Sequence, residues 1–478
     1  MTTRKTLSMK NLEALGAERL AGLLMEIAAG EPAVKRRLRL ELAGAASPRE
    51  LAHEVRKRLA AIARARSFVD WQHQRTLVRD LETQRRVIVE RLAQADAREA
   101  LELMWRFLDL AGPVHERSDD SNGDIGDVFS AACRDLGPLA QAARPEARAL
   151  ADRVFAALNG NGYGQYDGLI ETLAPVLGAG GLGRLKARFV ALSKTPVEEP
   201  RAAERRVVGW GSGGPLYADE IEASSRASTI RMALMDIADA QGDVDGFIAQ
   251  YDERVRKAPR IAAEIVRRLL AAGRADEAWQ RLEAAEHRRG AGTDLEWEDA
   301  RIDTLEALGR GVEAQAARWS CFERALSIPH LRAYLKRLAD FDDVEAEDKA
   351  LGHAESHRDV LPALAFLVSW PALERAAGLV VRRAGELDGN HYEFLAPAAE
   401  ALAGRHPLAA TLLLRAMIDF ALTQGRSSRY RHAARHLMEC AGLAGAVPEF
   451  GTFETHDAYV ARLRREHGRK SGFWSLVS

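Results

Sequence analysis

An acidic, loop-like stretch carries a dense set of side chains that suit cation chemistry. Residues 115–129 read HERSDDSNGDIGDVF, and carboxylate and amide oxygens are the ligands that Ca²⁺ prefers. With Gly123 at the sixth position of an EF-hand loop, Ser118 and Phe129 stand where the two anchoring carboxylates are required. The sequence therefore excludes an EF-hand. A looser Ca²⁺ or Mg²⁺ loop, a recognition loop, and a polar turn in which Asp124 caps the next helix remain as interpretations.

A glycine-rich stretch, NGNGYGQYDG at 159–168, is the second candidate. Its glycines would let the backbone approach a ligand closely. However, no G-x-x-x-x-G-K-S/T pattern is present and no strand leads into it, so a phosphate-binding loop is disfavoured. We expect a long turn between two helices, with a glycine ending the first of them.

These two stretches are expected to meet at one edge of the protein. One helix is predicted from about 124 to 136, PLAQAARPE turns the chain, and a second helix is predicted from about 146 to 158. Two helices joined by a short turn usually pack antiparallel, so the start of the first lies beside the end of the second. A recognition edge is favoured over a metal site. It comprises Asp119, Asp120, Asn122, Asp124, Tyr163, Tyr166 and Asp167.

Histidines occur twice with H-x3-H spacing, as His353 with His357 and His432 with His436. This spacing places both rings on one helix face, as in zinc sites. Neither pair has an evident third ligand, and HAESH is not the H-E-x-x-H pattern, so we predict no metal site. No nucleophile elbow or comparable set is present either. We therefore predict no catalytic residues and no cofactor.

Basic residues are concentrated near the start of the chain, where the first 100 residues hold 20 Lys and Arg against 13 Asp and Glu. Glu41, Glu50 and Glu54 interrupt the basic clusters, which favours the solvated faces of amphipathic helices. The alternative is a nucleic-acid-binding face, since phosphates need Lys and Arg gathered on one side. That face would use Arg56, Lys57, Arg64 and Arg66.

The elements that position these residues are predicted to be helices. The chain is 47% hydrophobic, 29% charged and 6% aromatic, with a net charge of −1, which indicates a globular protein with a core and no general attraction to polyanions. Apolar residues recur at i, i+3, i+4 and i+7 within 20–27, 101–108 and 414–421. We predict an all-α protein, an α-solenoid of stacked antiparallel helical hairpins of tetratricopeptide or HEAT type.

The clearest interruption is residues 195–215, which hold three prolines and four glycines and no helical stripe. We read this stretch as a linker or long loop. It separates an N-terminal helical domain, 1–194, from a tetratricopeptide-like repeat domain, 216–445. A C-terminal capping tail, 446–478, completes the predicted organisation.

A weak repeat supports the second domain. LLAAGRADEAW at 269–279 aligns with LEALGRGVEAQ at 305–315, an offset of 36 residues. The shared L-x3-G-R-x2-E-A pattern is typical of the turn between two helices, where glycine permits the turn and alanine permits close helix packing.

The three cysteines, Cys133, Cys321 and Cys440, are far apart and form no disulfide or zinc pattern. The N-terminus lacks a continuous apolar signal core, and no run approaches the roughly 20 apolar residues of a membrane span. We therefore expect a cytoplasmic protein with no membrane partner.

Several stretches together resemble an uncharacterised bacterial family catalogued only as a domain of unknown function. They are SFVDWQHQR (67–75), LMWRFLDLA (103–111), the acidic loop, LADRVF (150–155), LRAYLKRLADFDDVEAE (331–347), HPLAATLLLRAMIDFAL (406–422), RSSRYRHAARHL (426–437) and HDAYVARLRREHGRKSGFW (456–474). The C-terminal half is similar to helical segments found beside SWIM-type zinc fingers, although the C-x-C…C-x-H signature is absent. The resemblance implies an all-helical protein and no particular activity.

Three functions follow from these patterns. The favoured one is a non-catalytic helical-repeat scaffold that binds a protein or peptide partner. The second is a nucleic-acid-associated accessory factor that uses the basic N-terminal helices. The third is a metal- or ligand-dependent enzyme at the acidic and glycine-rich loops.

Overall fold

The computed structural model describes residues 6–196, 205–211, 213–285 and 294–477. It is 75% helix, and its described residues contain one two-stranded sheet. The prediction of an all-α protein is confirmed, as expected for a chain rich in strong helix formers. Within the described ranges, no helix combines the length and apolar character that crossing a bilayer would require.

Contacts between Cα atoms divide the chain into two compact units, Met1–Asp252 and Glu253–Ser478. The predicted linker, 195–215, lies inside the first unit. Its residues 197–204 and 212 are outside the described residues, and much of the remainder forms an antiparallel hairpin. The domain boundaries drawn from the sequence stay a prediction.

The first unit is built from helices, one π-helical turn and the hairpin. In chain order these are α1 (Met9–Glu13), α2 (Ala17–Gly30), α3 (Pro32–Ala46), α4 (Pro48–Arg64), α5 (Trp71–Val87), the π-helical turn Ile88–Leu92, α6 (Ala93–Ala95), α7 (Ala97–Leu108), α8 (Ala111–His115), α9 (Asp124–Ala143), α10 (Ala147–Asn159), α11 (Leu169–Lys194), β1 (Val207–Gly211), β2 (Gly214–Tyr217), α12 (Ala218–Gln241) and α13 (Val244–Ile248).

Helix α7 has seven buried residues among its twelve and packs against α9. Leu101, Met104, Trp105 and Leu108, the stripe read from the sequence, are all buried. Burying a large apolar side chain contributes about 1.5–3 kcal/mol relative to leaving it exposed. This stripe therefore anchors the elements that carry the two candidate loops.

Helix α9 is longer than predicted. It continues through Pro138 to Ala143, and the chain turns at Arg144, whose φ is 49°. The expectation that PLAQAARPE ends the helix early is wrong. Leu136 and Leu139, on either side of the proline, are buried, so apolar burial outweighs the backbone hydrogen bond that proline removes.

The second unit is also helical. It comprises α14 (Glu253–Arg256), α15 (Pro259–Ala271), α16 (Ala275–Ala284), α17 (Leu295–Ala307), α18 (Gly311–Ala325), α19 (Ile328–Leu335), α20 (Asp342–Glu355), α21 (Val360–Ser369), α22 (Leu373–Arg382), the 3₁₀ turn Ala384–Glu386, α23 (Tyr392–Leu402), α24 (Pro407–Thr423), the 3₁₀ turn Ser427–Arg429, α25 (Tyr430–Ala444), α26 (His456–His467) and α27 (Ser471–Trp474).

The two copies of the sequence repeat have the same local structure. Gly273 between α15 and α16 and Gly309 between α17 and α18 both have a φ of 73°, a left-handed conformation that glycine adopts without steric cost. The arginine that follows each glycine, Arg274 or Arg310, donates two hydrogen bonds of 2.6–2.7 Å to the glutamate three residues later. The repeat is therefore a repeated helix–turn–helix.

Candidate functional site

The acidic and glycine-rich loops are brought together by His115, the last residue of α8. Its Nδ1 atom lies 3.8 Å from Oδ2 of Asp120 in the acidic loop. Its ring stacks on Tyr163 of the glycine-rich loop, with centroids 5.0 Å apart and planes inclined by 12°. One side chain thus joins two loops that are some forty residues apart in sequence.

Asp120 holds the acidic loop against the start of α9. Its Oδ1 accepts hydrogen bonds from the backbone N–H of Ile125 at 2.9 Å and from the side-chain amide of Gln74 at 3.0 Å. Its Oδ2 accepts from the N–H of Gly126 at 2.9 Å. These are donors that the first turn of a helix leaves unsatisfied, so Asp120 has a capping role.

Asp124 is the first residue of α9, and the residue before it, Gly123, occupies the capping position with a φ of 78°. The interpretation of Asp124 as the cap is therefore wrong, because Asp120 reaches the free N–H groups instead. Asp124 accepts a hydrogen bond of 2.7 Å from the amide of Asn122. Asn122 in turn accepts one of 2.6 Å from Gln74.

Asp119 forms a local turn in the acidic loop with Ser121, two residues later. Its carboxylate accepts hydrogen bonds from the hydroxyl and the backbone N–H of Ser121. The hydroxyl, followed by the N–H, lowers the pKa of Asp119. Each acidic residue of the predicted edge within this loop is thus held in a defined orientation.

The glycine-rich loop is held by Asn161, whose side chain accepts from the N–H of Tyr166 at 2.9 Å and donates to Asp167 at 2.7 Å. Gly164 and Gly168 have φ values of 73° and 75°, which a residue with a side chain rarely adopts. The loop is therefore an ordered support for the tyrosines that it carries.

The two tyrosines of this loop have different environments. The side chain of Tyr163 is 48% exposed, whereas Tyr166 is 4% exposed. The Tyr166 hydroxyl donates to Asp109 at 3.1 Å, and burial, together with the Asp109 charge, raises its pKa. Tyr166 is therefore part of the packed interior, and Tyr163 is the aromatic side chain that the edge presents.

A cavity of about 580 Å³ opens beside the glycine-rich loop, between that loop and α12. Four carboxylates line it, Asp167, Glu171, Asp236 and Asp239. Among the described residues its walls contain no lysine or arginine. The described walls of this cavity are therefore acidic.

The predicted nucleic-acid-binding residues lie on α4 and just after it. Arg56 donates a short hydrogen bond to Glu99, and Lys57 lies 3.4 Å from Glu54. Arg64 donates to a carbonyl of its own helix, and Arg66 is exposed. Part of the positive charge is therefore neutralised by neighbouring carboxylates.

Three of the four paired histidines make ordinary hydrogen bonds. His353 contacts a backbone carbonyl at 2.9 Å, His357 lies 3.1 Å from a carbonyl just ahead of it in the chain, and His436 lies 2.9 Å from the Glu439 carboxylate. In the part of the chain that the structure describes, no three His, Cys, Asp or Glu side chains are grouped to hold a metal ion.

A cavity in the second unit surrounds a feature that the sequence analysis missed. Arg415 of α24 is only 5% exposed and lines a cavity of about 590 Å³. Its Nη1 donates to the backbone carbonyl of Glu454 at 2.7 Å. Its Nε and Nη2 atoms have no hydrogen-bond partner within the described ranges. The guanidinium also lies 4.4 Å from the ring centre of Tyr459.

Two of the three carboxylates that line this cavity pair with a different arginine. Arg462 lies 3.1 Å from Asp419 and 3.0 Å from Glu454. Burial lowers the pKa of Arg415. Burial, followed by the charge of Arg415, also lowers the pKa of His456 at the start of α26. The positive charge of the buried Arg415 therefore contributes to the lowered pKa of His456.

One signal in the sequence marks Arg415. It stands in the run TLLLRAMIDF, between Leu414 and Met417 of an apolar stripe that is buried in the structure. Arginine is almost never fully buried unless it is paired. A lone arginine inside such a stripe is therefore a candidate for function.

A family model described as a family of unknown function (DUF6880) matches residues 2–476. The match covers nearly the whole chain, which therefore belongs to this family. This confirms the resemblance to an uncharacterised domain family. A comparison with curated proteins finds no match, and a comparison with solved structures finds none either.

Proposed function

We propose that this member of DUF6880 is a non-catalytic helical protein that binds a protein or peptide partner at the edge formed by the acidic and glycine-rich loops. The observation that carries the proposal is the contact of His115 with both Asp120 and Tyr163. It supports a rigid surface that combines carboxylates with an exposed aromatic ring. Binding residues are found disproportionately on loops that a rigid scaffold positions.

The partner segment is proposed to carry arginine or lysine. Tyr163 offers a ring face on which a guanidinium can stack, and such contacts contribute about 0.5–2 kcal/mol. The adjacent cavity is lined by the carboxylates of Asp167 and Glu171, beside the glycine-rich loop. Charged hydrogen bonds between guanidinium and carboxylate are about twice as strong as neutral ones.

The test uses two edge variants and two matched controls. Tyr163→Ala removes the exposed ring, and Met232→Arg places a competing guanidinium at the acidic cavity, which Met232 lines. Tyr392→Ala and Met438→Arg change side chains of similar exposure in the second unit, at 56% and 54% against 48% and 56% for Tyr163 and Met232.

Affinity capture from the native host with all five proteins supplies the readout. The proposal expects a partner that the wild type and both controls retain and that both edge variants lose. The partner's binding should also weaken with added salt, because exposed charges are screened. A partner that all five proteins retain equally contradicts the proposal.

A second candidate function, association with nucleic acid, is favoured by a basic depression between α3 and α4. Arg36, Arg39, Lys57 and Arg58 all line it. Charge reversal at Arg36, Arg39 and Lys57 in this depression, and at the predicted Arg56, Arg64 and Arg66, should then weaken binding to all sequences alike, with strong salt dependence. A gel-shift assay at low salt that detects neither DNA nor RNA binding removes this candidate.

The proposal also includes the repeat architecture that the sequence predicts. The equivalent turns at Gly273 and Gly309 support a tetratricopeptide-like stacking of hairpins into a solenoid. A cytoplasmic location, a bacterial origin and the similarity to segments beside SWIM-type zinc fingers stay predictions.

A further inference from the structure

Three helices of the second unit surround a cavity that cationic side chains line. The cavity has a volume of about 380 Å³ and lies between the start of α23, the second half of α24 and α25. Its polar lining comprises Tyr392, Ser428, Arg429, His432, Arg435 and His436. Among the described residues that line it, two are arginines and none is an aspartate or a glutamate. The described walls are therefore positively charged, which attracts anions.

Arg429 is the residue of this cavity that is best placed to receive an anion. Its side chain is partly exposed, and its guanidinium lies 5.1 Å from the ring centre of Tyr392 and 5.4 Å from that of Phe420. Its Nη1 donates a long hydrogen bond of 3.4 Å to the carbonyl of Asn390. The two rings stabilise the position of the guanidinium. Since arginine has five N–H donors, several of them stay available to a ligand.

Two acidic residues lie close to the cavity without lining it. Glu439 lies 2.9 Å from Nδ1 of His436 and 3.4 Å from Nε of Arg435, so it orients the histidine ring and offsets part of the arginine charge. Glu393 interacts electrostatically with Arg429 but forms its side-chain hydrogen bond with a histidine. Within the described ranges, Arg429 is therefore a cation of the cavity wall without a carboxylate bound to it.

The start of α25 adds to the preference for an anion. Arg429 is the N-cap residue of this helix of 15 residues, and its side chain does not cap the helix. Ser428 and His432, on either side of that position, also line the cavity. The N-terminal end of a helix carries partial positive charge, which favours phosphate groups.

The most buried side chains that line the cavity are apolar. They are Met417, Ala421 and Ala433, with exposures of 5%, 2% and 2%. Binding sites for small molecules typically combine apolar walls with a few polar groups that fix orientation, in volumes of roughly 300–1,000 Å³. The cavity therefore suits a molecule that has an apolar body and one anionic group.

We propose that this cavity binds a small organic phosphate, with the phosphate group at Arg429 and the apolar body against Met417 and Ala421. A phosphate monoester carries about −1.5 to −2 charges at pH 7, so it gains more from these walls than a carboxylate does. Arginine also binds phosphate through two parallel hydrogen bonds. The site lies wholly in the second unit and is independent of the loop edge proposed above.

Calorimetric titration of the full chain tests the proposal with defined probes. Phenyl phosphate combines both required parts, benzoate replaces the phosphate by a carboxylate, inorganic phosphate lacks the apolar body, and benzyl alcohol lacks the charge. We expect phenyl phosphate to bind at least about tenfold more tightly than each of the other three. Absence of phenyl phosphate binding at millimolar concentration overturns the proposal, and so does equal binding of benzoate.

A tripeptide centred on phosphotyrosine presents the same phenyl phosphate group within a peptide chain. The small cavity volume leads us to expect weaker binding of the tripeptide than of phenyl phosphate. Tighter binding of the tripeptide would assign the site to a phosphorylated protein segment and would overturn the assignment to a small molecule.

Arg429→Gln removes the charge of the receptor and should weaken phenyl phosphate binding at least about tenfold, the loss expected for one charged hydrogen bond. Arg431→Gln is the matched control, because Arg431 is an exposed residue of the same helix that does not line the cavity, and the change in net charge is the same. Equal affinities of both variants, whether reduced or unchanged, overturn the proposal.

A second readout uses the unaltered sequence. In protein labelled at the methionine methyl groups, the Met417 resonance should shift when phenyl phosphate is added, because an aromatic ring would lie against it. The resonance of Met438, which is 54% exposed and does not line the cavity, should stay unchanged. An unchanged Met417 resonance at saturating phenyl phosphate contradicts binding in this cavity.

Discussion

Replacing Arg415 by methionine should leave the stability of the protein nearly unchanged, whereas the same replacement at Arg318 should reduce it. Both arginines are buried in the second unit, at 5% and 3% exposure. They differ in their partners. The Nε and Nη2 atoms of Arg415 have none among the described residues, and Arg318 lies 2.5 Å from Glu306 and 3.0 Å from Gln315.

The change in the free energy of unfolding expected for Arg415→Met is the sum of opposing contributions. Arg415→Met removes the hydrogen bond to the Glu454 carbonyl, worth about 1.5–3 kcal/mol for a charged donor, and the stacking on Tyr459, worth about 0.5–2 kcal/mol. It also removes two unsatisfied buried donors, each of which costs about 1–3 kcal/mol. These contributions offset one another, so the net change should lie within about 1 kcal/mol of zero.

For Arg318→Met every contribution to the free energy of unfolding is destabilising. Removing one partner of a buried ion pair costs about 3–5 kcal/mol. Glu306 is 34% exposed and keeps Arg337 at 2.8 Å, so solvent and the second arginine reduce the loss to about 2 kcal/mol.

Urea denaturation followed by circular dichroism measures both effects. The expected result is a denaturation midpoint near that of the wild type for Arg415→Met and a clearly lower midpoint for Arg318→Met. Equal and large destabilisation by both substitutions would refute the reasoning. It would mean that the hydrogen-bonding groups of Arg415 are as fully satisfied in the folded protein as those of Arg318.

Three further predictions concern other parts of the molecule. Asp120→Ala should lower the free energy of unfolding by about 2 kcal/mol, because it removes the cap of α9, and urea denaturation checks this. Burial raises the pKa of Cys321 to about 11 and those of Cys133 and Cys440 to about 12. All three should therefore resist iodoacetamide at pH 8 until the protein is unfolded. In the unfolded chain these thiols ionise near pH 8.5, whereas in the folded protein they stay neutral up to about pH 11. The free energy of unfolding should therefore decrease as the pH rises above about 8.5, which alkaline unfolding curves check. Gly389→Ala should destabilise the second unit by about 1–3 kcal/mol through overpacking against α24, measurable as a lower melting temperature.

The helical fold could be predicted because its signals are local. The glycines at 273 and 309 adopt the same left-handed conformation, and the stripe that includes Leu101 and Trp105 is buried. The stripe on α2 shows the limit of such reasoning. Ile27 belongs to it yet is 54% exposed, because periodicity marks an apolar face and does not tell whether another element covers it.

The candidate edge was predictable in outline and not in its interactions. Sequence order indicated that the acidic and glycine-rich loops approach each other. The capping by Asp120 and the central position of His115 depend on partners elsewhere in the fold, such as Gln74, 46 residues before Asp120. The sequence therefore predicts the same recognition role for Tyr163 and Tyr166, although Tyr166 is buried and Tyr163 is exposed.

The Arg415 cavity needed the structure for a similar reason. Whether a buried arginine is satisfied depends on every group around it, and here those groups come from α24 and from the segment that contains Glu454 and Tyr459. Sequence spacing cannot show that Arg462, and not Arg415, pairs with the carboxylates.

Photo-crosslinking from the exposed ring tests the proposed partner-binding edge most directly. A photoreactive phenylalanine derivative placed at Tyr163, and separately at Tyr392 as a control, would be activated in living host cells. Mass spectrometry would then identify the crosslinked segment. The account predicts a specific crosslink from position 163 to a segment that contains arginine or lysine, and none from position 392. Crosslinks of the same kind from both positions, or a position-163 crosslink to an acidic segment, would contradict it.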